Sequence, residues 1–132
     1  MTPWPRSRAE QERGAAVVDF VFVSLVLVPL FLGIMQVALV MHVRTTLASA
    51  AAEGARYAAT VDRGPDDGAA RTRTEIGEAL SARYAAGVEA REEILDGERM
   101  VVVEVTADVP PLGLWGPGLR VHVVGHGVEE SQ

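Results

Sequence analysis

The sequence predicts an α+β protein: a long N-terminal transmembrane helix that continues outside the membrane, then a small domain of one helix and a two- to three-stranded antiparallel sheet. Three observations carry this prediction. From Phe20 to Val43 no residue bears a formal charge with His42 neutral, and nearly every side chain is apolar. Such a run is long enough for a helix to cross the roughly 30 Å hydrocarbon core of a bilayer. Alanine-rich sequence then continues from Leu47 to Ala59, with only Gly54 to weaken a helix. Beyond residue 60, one segment of helical periodicity is followed by segments that alternate with a period of two.

Residues 1–14 read as a leader. Met1 to Arg13 is polar, with Pro3, Pro5 and three arginines, and is expected to be disordered. Its arginines favour a cytoplasmic N-terminus; Glu10 and Glu12 count for little in that rule. Residues 15–60 read as one helix of roughly 68 Å, with the membrane span at about 20–43. Pro29 removes the bond to the Leu25 carbonyl and is expected to kink it. Residues 61–132 form the distal domain. Asp62–Gly68 reads as a loop. Ile76, Leu80, Tyr84 and Val88 mark an amphipathic helix over about Ala69–Ala86. Asp96-Gly97 is a two-residue hairpin signal. Val101, Val103, Val105, Ala107 and Val109 then form the apolar face of a strand ended by Pro110-Pro111. Leu119, Val121 and Val123 begin a last strand that is expected to fray into Gly125 and Gly127.

Composition narrows the function. The chain has 132 residues, no cysteine and a formal net charge of −6. A core of about 70 residues without disulfides is marginal alone, so the domain is expected to pack on the helix end or on neighbouring subunits. Residues 61–132 hold seven arginines against fourteen acids. An acidic domain argues against a nucleic-acid partner, because phosphate binding needs a basic face.

Catalysis finds no support. His122 and His126 are four apart without an acid or cysteine at zinc spacing, and they read as surface residues. Asp62, Asp66 and Asp67 lack the alternation of a calcium loop. There is no P-loop, dinucleotide fingerprint or nucleophile elbow. The chain reads as a non-enzyme without cofactor or metal. A cleaved secretory signal would use Ala48-Ser49-Ala50, but its apolar region should then be only about 7–15 residues long. Asp19 stands apart. A carboxylate costs roughly 2.5 to 3.5 kcal/mol at the centre of a membrane helix and less near the interface, so an acid at the start of the span is a functional candidate.

Arg13-Gly14-Ala15-Ala16-Val17-Val18-Asp19-Phe20 resembles the processing site of type IV pilin-like proteins. More narrowly, about residues 13–60 resemble the TadE-like family, minor pseudopilins of tight-adherence (Flp-type) pilus systems. The Gly14/Asp19 junction, Pro29 within the apolar run, and Ala52-Glu53-Gly54-Ala55-Arg56 carry the resemblance. It implies that a prepilin peptidase cuts between Gly14 and Ala15, and that Asp19, followed by Phe20, serves assembly by pairing with a cleaved N-terminus on a packed neighbour. The acid is Asp19 where the family pattern usually has glutamate. Ala52, Glu53, Gly54 and Arg56 are candidates for helix packing, against a partner or against this chain's own domain, while Glu53 and Arg56 also fit a solvated i,i+3 pair. The implied role is an accessory structural subunit in assembling adhesive pili. Its implied partners are membrane lipid, the prepilin peptidase, other pilins and pseudopilins, and the pilus assembly platform. The implied location is the bacterial cytoplasmic membrane, single-pass, with the distal domain outside and able to enter a surface pilus. The alternative is a signal-anchored envelope protein whose domain binds a ligand or partner outside any pilus.

Overall fold

The computed structural model describes residues 8–113 and 116–129. Helix α1 (Arg8–Ala58) is followed by α2 (Pro65–Ala79), a turn of 3₁₀ helix at Ala82–Ala85, and strands β1 (Val88–Leu95), β2 (Glu98–Val109) and β3 (Leu119–Val128). The strands form one antiparallel sheet in the order β1-β2-β3. This is the predicted α+β class, with three strands.

Helix α1 has 51 residues and is unbroken through Pro29; at 1.5 Å per residue it extends about 76 Å. It begins at Arg8, which corrects the disorder expected for residues 8–13; Met1–Ser7 lie outside the described residues. Ala9, Glu10, Gln11 and Glu12 all favour helix, and Glu10 in the first turn meets the positive end of the helix dipole. The helix has two environments. Large apolar side chains from Val17 to Val37 are almost all exposed. From Val43 onward one face is buried, through Val43, Leu47, Ala50, Ala51, Gly54, Ala55 and Ala58. Steps of three and four place these residues on a single stripe. Leu39 and Val40 pack against the same core from below.

Helix α2 starts four residues earlier than expected, so the loop ends at Gly64. The reason is local. Pro65 occupies the first helical position, where its missing N–H costs nothing. Asp66 and Asp67 sit in the first turn, and the Asp67 carboxylate accepts a 3.0 Å bond from the Gly64 N–H. The helix also ends early, at Ala79; Ala82–Ala85 continues as a 3₁₀ turn rather than as α-helix.

The sheet lays one face on the helices. Asp96 and Gly97 both have positive φ (53° and 86°), as a type I′ hairpin turn requires. Strand β2 is central, and its Val101, Val103, Val105, Ala107 and Val109 point inward and are buried. Strand β3 does not fray at its glycines, which corrects the expectation. It stays paired to Val128, opposite Met100, and Gly125 and Gly127 lie on the inner face opposite Val103 and Val101. A Cβ at Gly125 would strike the Ala51 carbonyl, and one at Gly127 the Ala55 carbonyl. Two strand residues advance about 6.8 Å and four helix residues about 6.0 Å, so the two repeats run nearly in step. The seam lets β3 lie directly on the main chain of α1.

Candidate functional site

The candidate residues fall into two groups on α1, about 50 Å apart along its axis. At the N-terminal group, Gly14, Ala15, Asp19 and Phe20 are all exposed. A Cβ built at Gly14 meets nothing within 4 Å. The fold itself therefore places no demand for a small residue there, although glycine weakens a helix by roughly 1 kcal/mol relative to alanine. Asp19 has no ion-pair or side-chain hydrogen-bond partner among the described residues.

The second group is divided by the fold. Gly54 is buried where α1 crosses α2: a Cβ there would strike the Thr72 hydroxyl and lie 2.7 Å from the Gly68 carbonyl oxygen. Reciprocally, a Cβ at Gly68 would lie 2.7 Å from the Gly54 oxygen. Thr72 is buried in this crossing, its hydroxyl 2.9 Å from the Gly68 carbonyl oxygen and 3.3 Å from that of Ala50. Ala52 is half-buried at the rim. Glu53 and Arg56 are exposed and form a long 3.8 Å pair on the solvent side. The small residues of the motif thus face this chain's own domain, and the charged ones face out.

Several residues that build this arrangement differ from the sequence expectation: Gly68 lies in α2 and not in a loop, and Gly125 and Gly127 are paired strand residues and not a fraying end. Two glycines at i,i+2 on a strand, with valines before them on the same face, signal close backbone approach. Gln36 was passed over within the apolar run. Its Nε2 donates to the Pro110 carbonyl (3.2 Å) and its Oε1 accepts from the Leu112 N–H (2.7 Å), so it ties the β2–β3 connection to the helix.

The outward face of the sheet is mostly polar, with Val102 buried at its centre. Arg91 bonds Glu104 across the β1–β2 pair (2.8 Å) and also Glu93 (2.7 Å). These bonds hold the Glu104 carboxyl below the usual carboxylate range and the Arg91 guanidinium above its own. His122 Nδ1 lies 3.2 Å from the Thr106 hydroxyl, and His126 is exposed. Among the described residues no three potential metal ligands converge.

An exposed apolar helix rooted in a small α+β domain defines a helix-anchored α+β protein. Among the described residues one helix is long and apolar enough to cross a membrane. The family model described as TadE-like protein matches residues 14–56, which run from the glycine of the candidate processing site to the end of the Ala52–Arg56 motif. No curated protein and no solved structure matches the chain. The match suggests a Tad pilus-associated protein.

Proposed function

We propose that this protein is a minor pseudopilin of a tight-adherence pilus system, an accessory structural subunit that is inserted, processed and packed among other pilins on the assembly platform. The observation that carries the reading is the coincidence of the TadE-like match with an open Gly14 and with an Asp19 that has no partner among the described residues. In the proposed sequence of events, the leader stays in the cytoplasm, α1 spans the bilayer and the domain lies outside. A prepilin peptidase adds water across the Gly14–Ala15 bond, leaving a carboxylate on Gly14 and an α-ammonium on Ala15. Because α1 is helical through this bond, the first turns must unwind before cleavage, and Gly14 lowers the cost of doing so. The Asp19 carboxylate of one subunit then pairs with the ammonium of a packed neighbour, which offsets the desolvation of both and favours one axial register.

The deciding experiment is the intact mass of the protein from membranes made with and without a prepilin peptidase. Loss of residues 1–14 only in the presence of the peptidase supports the reading. Retention of Met1–Gly14 with an active peptidase overturns it in favour of a signal-anchored protein.

A further inference from the structure

We infer that the described part of the β2–β3 connection, residues 110–113 and 116–118, is a lipid-contacting wedge seated at the outer headgroup–acyl boundary, with Gln36 marking that boundary on α1. The inference rests on the membrane reading of α1 and deepens it by naming where the bilayer ends.

The apolar run alone would place the outer boundary near Val43. The fold withdraws its last part from lipid, because Leu39, Val40 and Val43 pack against the domain's own core. Apart from Met41, the large apolar side chains left exposed on α1 run from Val17 to Val37. Val17 to Gln36 is twenty residues, about 30 Å of helix, which equals the hydrocarbon thickness. It also puts Asp19 within about one turn of the inner interface, where a carboxylate is least costly.

The connection lies beside the outer part of this section. Pro111, Gly113, Gly116, Pro117 and Leu119 form an open groove with Pro29, Leu32, Gly33 and Gln36. From Gln36 down to Pro29 is about 10 Å along the helix, the depth to which interfacial segments bury their apolar faces. Its chemistry suits that position. No charged residue occurs from Val109 to Leu119. Leu112 and Leu119 are 44% and 49% exposed, although Val121 and Val123, next on the same face of β3 as Leu119, are buried. A backbone near lipid must keep few unmet donors. Three of the nine residues from Pro110 to Gly118 are prolines without an N–H, and Gln36 takes the Leu112 N–H and caps the Pro110 carbonyl. The same two bonds satisfy both ends of an amide that would otherwise be stranded at the membrane edge. Lipid is the occupant because the exposed apolar surface of the connection is continuous with that of the span itself.

The native chain has no cysteine, so single probes can be placed in the full-length protein. Leu112→Cys, Leu119→Cys, Val23→Cys and Ile94→Cys would each carry a polarity-sensitive fluorophore in phosphatidylcholine vesicles. Quenchers would be acyl-chain nitroxides at shallow depth and aqueous iodide. The expected result is that the probes at 112 and 119 lose most of their emission to the shallow nitroxide and little to iodide. The probe at 94, at the far end of the β1–β2 hairpin, should do the reverse. Adding Gln36→Leu to Leu112→Cys should release the connection and raise iodide quenching. If the probe at Val23 is lipid-quenched while that at 112 is quenched by iodide, the wedge is overturned and the span stands. If Val23 is not lipid-quenched either, the membrane reading itself fails. Protection of the probe at 112 from both quenchers would show a protein partner there and would also overturn the inference.

Discussion

The seam between β3 and α1 makes a strict demand on side-chain size, and Gly127→Ala tests it. A Cβ at position 127 would press on the Ala55 carbonyl and lie 2.9 Å from the Arg56 nitrogen. Those neighbours are main-chain atoms inside a helix and cannot rotate away, so either the sheet lifts or the helix bends. Overpacking a filled site costs about 1–3 kcal/mol. With rigid neighbours the substitution belongs at the upper end, about 3 kcal/mol, a large share of the roughly 5 kcal/mol available to a small domain. At roughly 4–8 °C per kcal/mol for a domain of this size, Tm should fall by about 12–24 °C. The assay is thermal unfolding of the full chain in lipid nanodiscs, followed by circular dichroism. Gly77→Ala supplies the control. It lies in α2 with nothing within 4 Å of its added Cβ, and it should stabilise by about 1 kcal/mol through helix propensity alone. A Gly127→Ala protein that melts with or above the wild type would show that sheet and helix are not at main-chain contact, and the packing argument would fail.

Gly14→Ala should leave membrane insertion unchanged yet slow removal of the leader, because the helix around the scissile bond becomes harder to unwind; intact mass over a peptidase time course reads this. Asp19→Asn should insert normally but lose co-purification with other pilus subunits, whereas Asp19→Glu should retain it; equal recovery of Asp19→Ala would remove any role for the carboxylate. In Arg91→Ala, the Glu104 carboxyl should titrate at a higher pH by NMR. With Arg91 present, folding holds that carboxyl below its unfolded value. Its contribution to stability is therefore in place above the unfolded value and lost as pH falls through the folded one, a dependence the variant should lack.

The parts of the fold that follow from periodicity were legible in the sequence. The apolar run, the alternating valines of β2 and the Asp96-Gly97 turn each reflect a local rule, and each stands where that rule puts it. The misread positions are those where a residue serves a distant neighbour. Gly125 and Gly127 look like a strand losing its side chains until α1 is laid across them. Gly68 looks like a loop residue until Gly54 packs opposite it. Leu39, Val40 and Val43 look lipid-facing because a domain core and a bilayer both select apolar side chains. The start of α2 was missed for a different reason. Pro65-Asp66-Asp67 carries both a turn signal and an N-terminal helix signal, and the turn was given precedence. At the candidate site, nothing among the described residues packs against Gly14 or pairs with Asp19, so their proposed roles rest on the sequence pattern.

That contrast bears on how the molecule would assemble. The segment matched to the TadE-like family contains both the exposed span and the buried stripe beneath the domain, within one uninterrupted helix. Gly54 against Gly68, Gly125 and Gly127 against Ala51 and Ala55, and Gln36 against the β2–β3 connection fix the domain to that helix at three levels. The height of the domain above Asp19 is therefore set by helical rise: Asp19 to Gln36 is about 26 Å, and Asp19 to Ala51 about 48 Å. Under the proposed pairing, a neighbour that engages the Asp19 carboxylate also fixes the level at which the two domains meet. A slip of one residue at the membrane would carry through as about 1.5 Å at the domain, enough to unseat side chains packed between subunits. One buried charge pair near the inner membrane face would thus set the register of the extracytoplasmic contacts, with the rigid helix as the ruler between them.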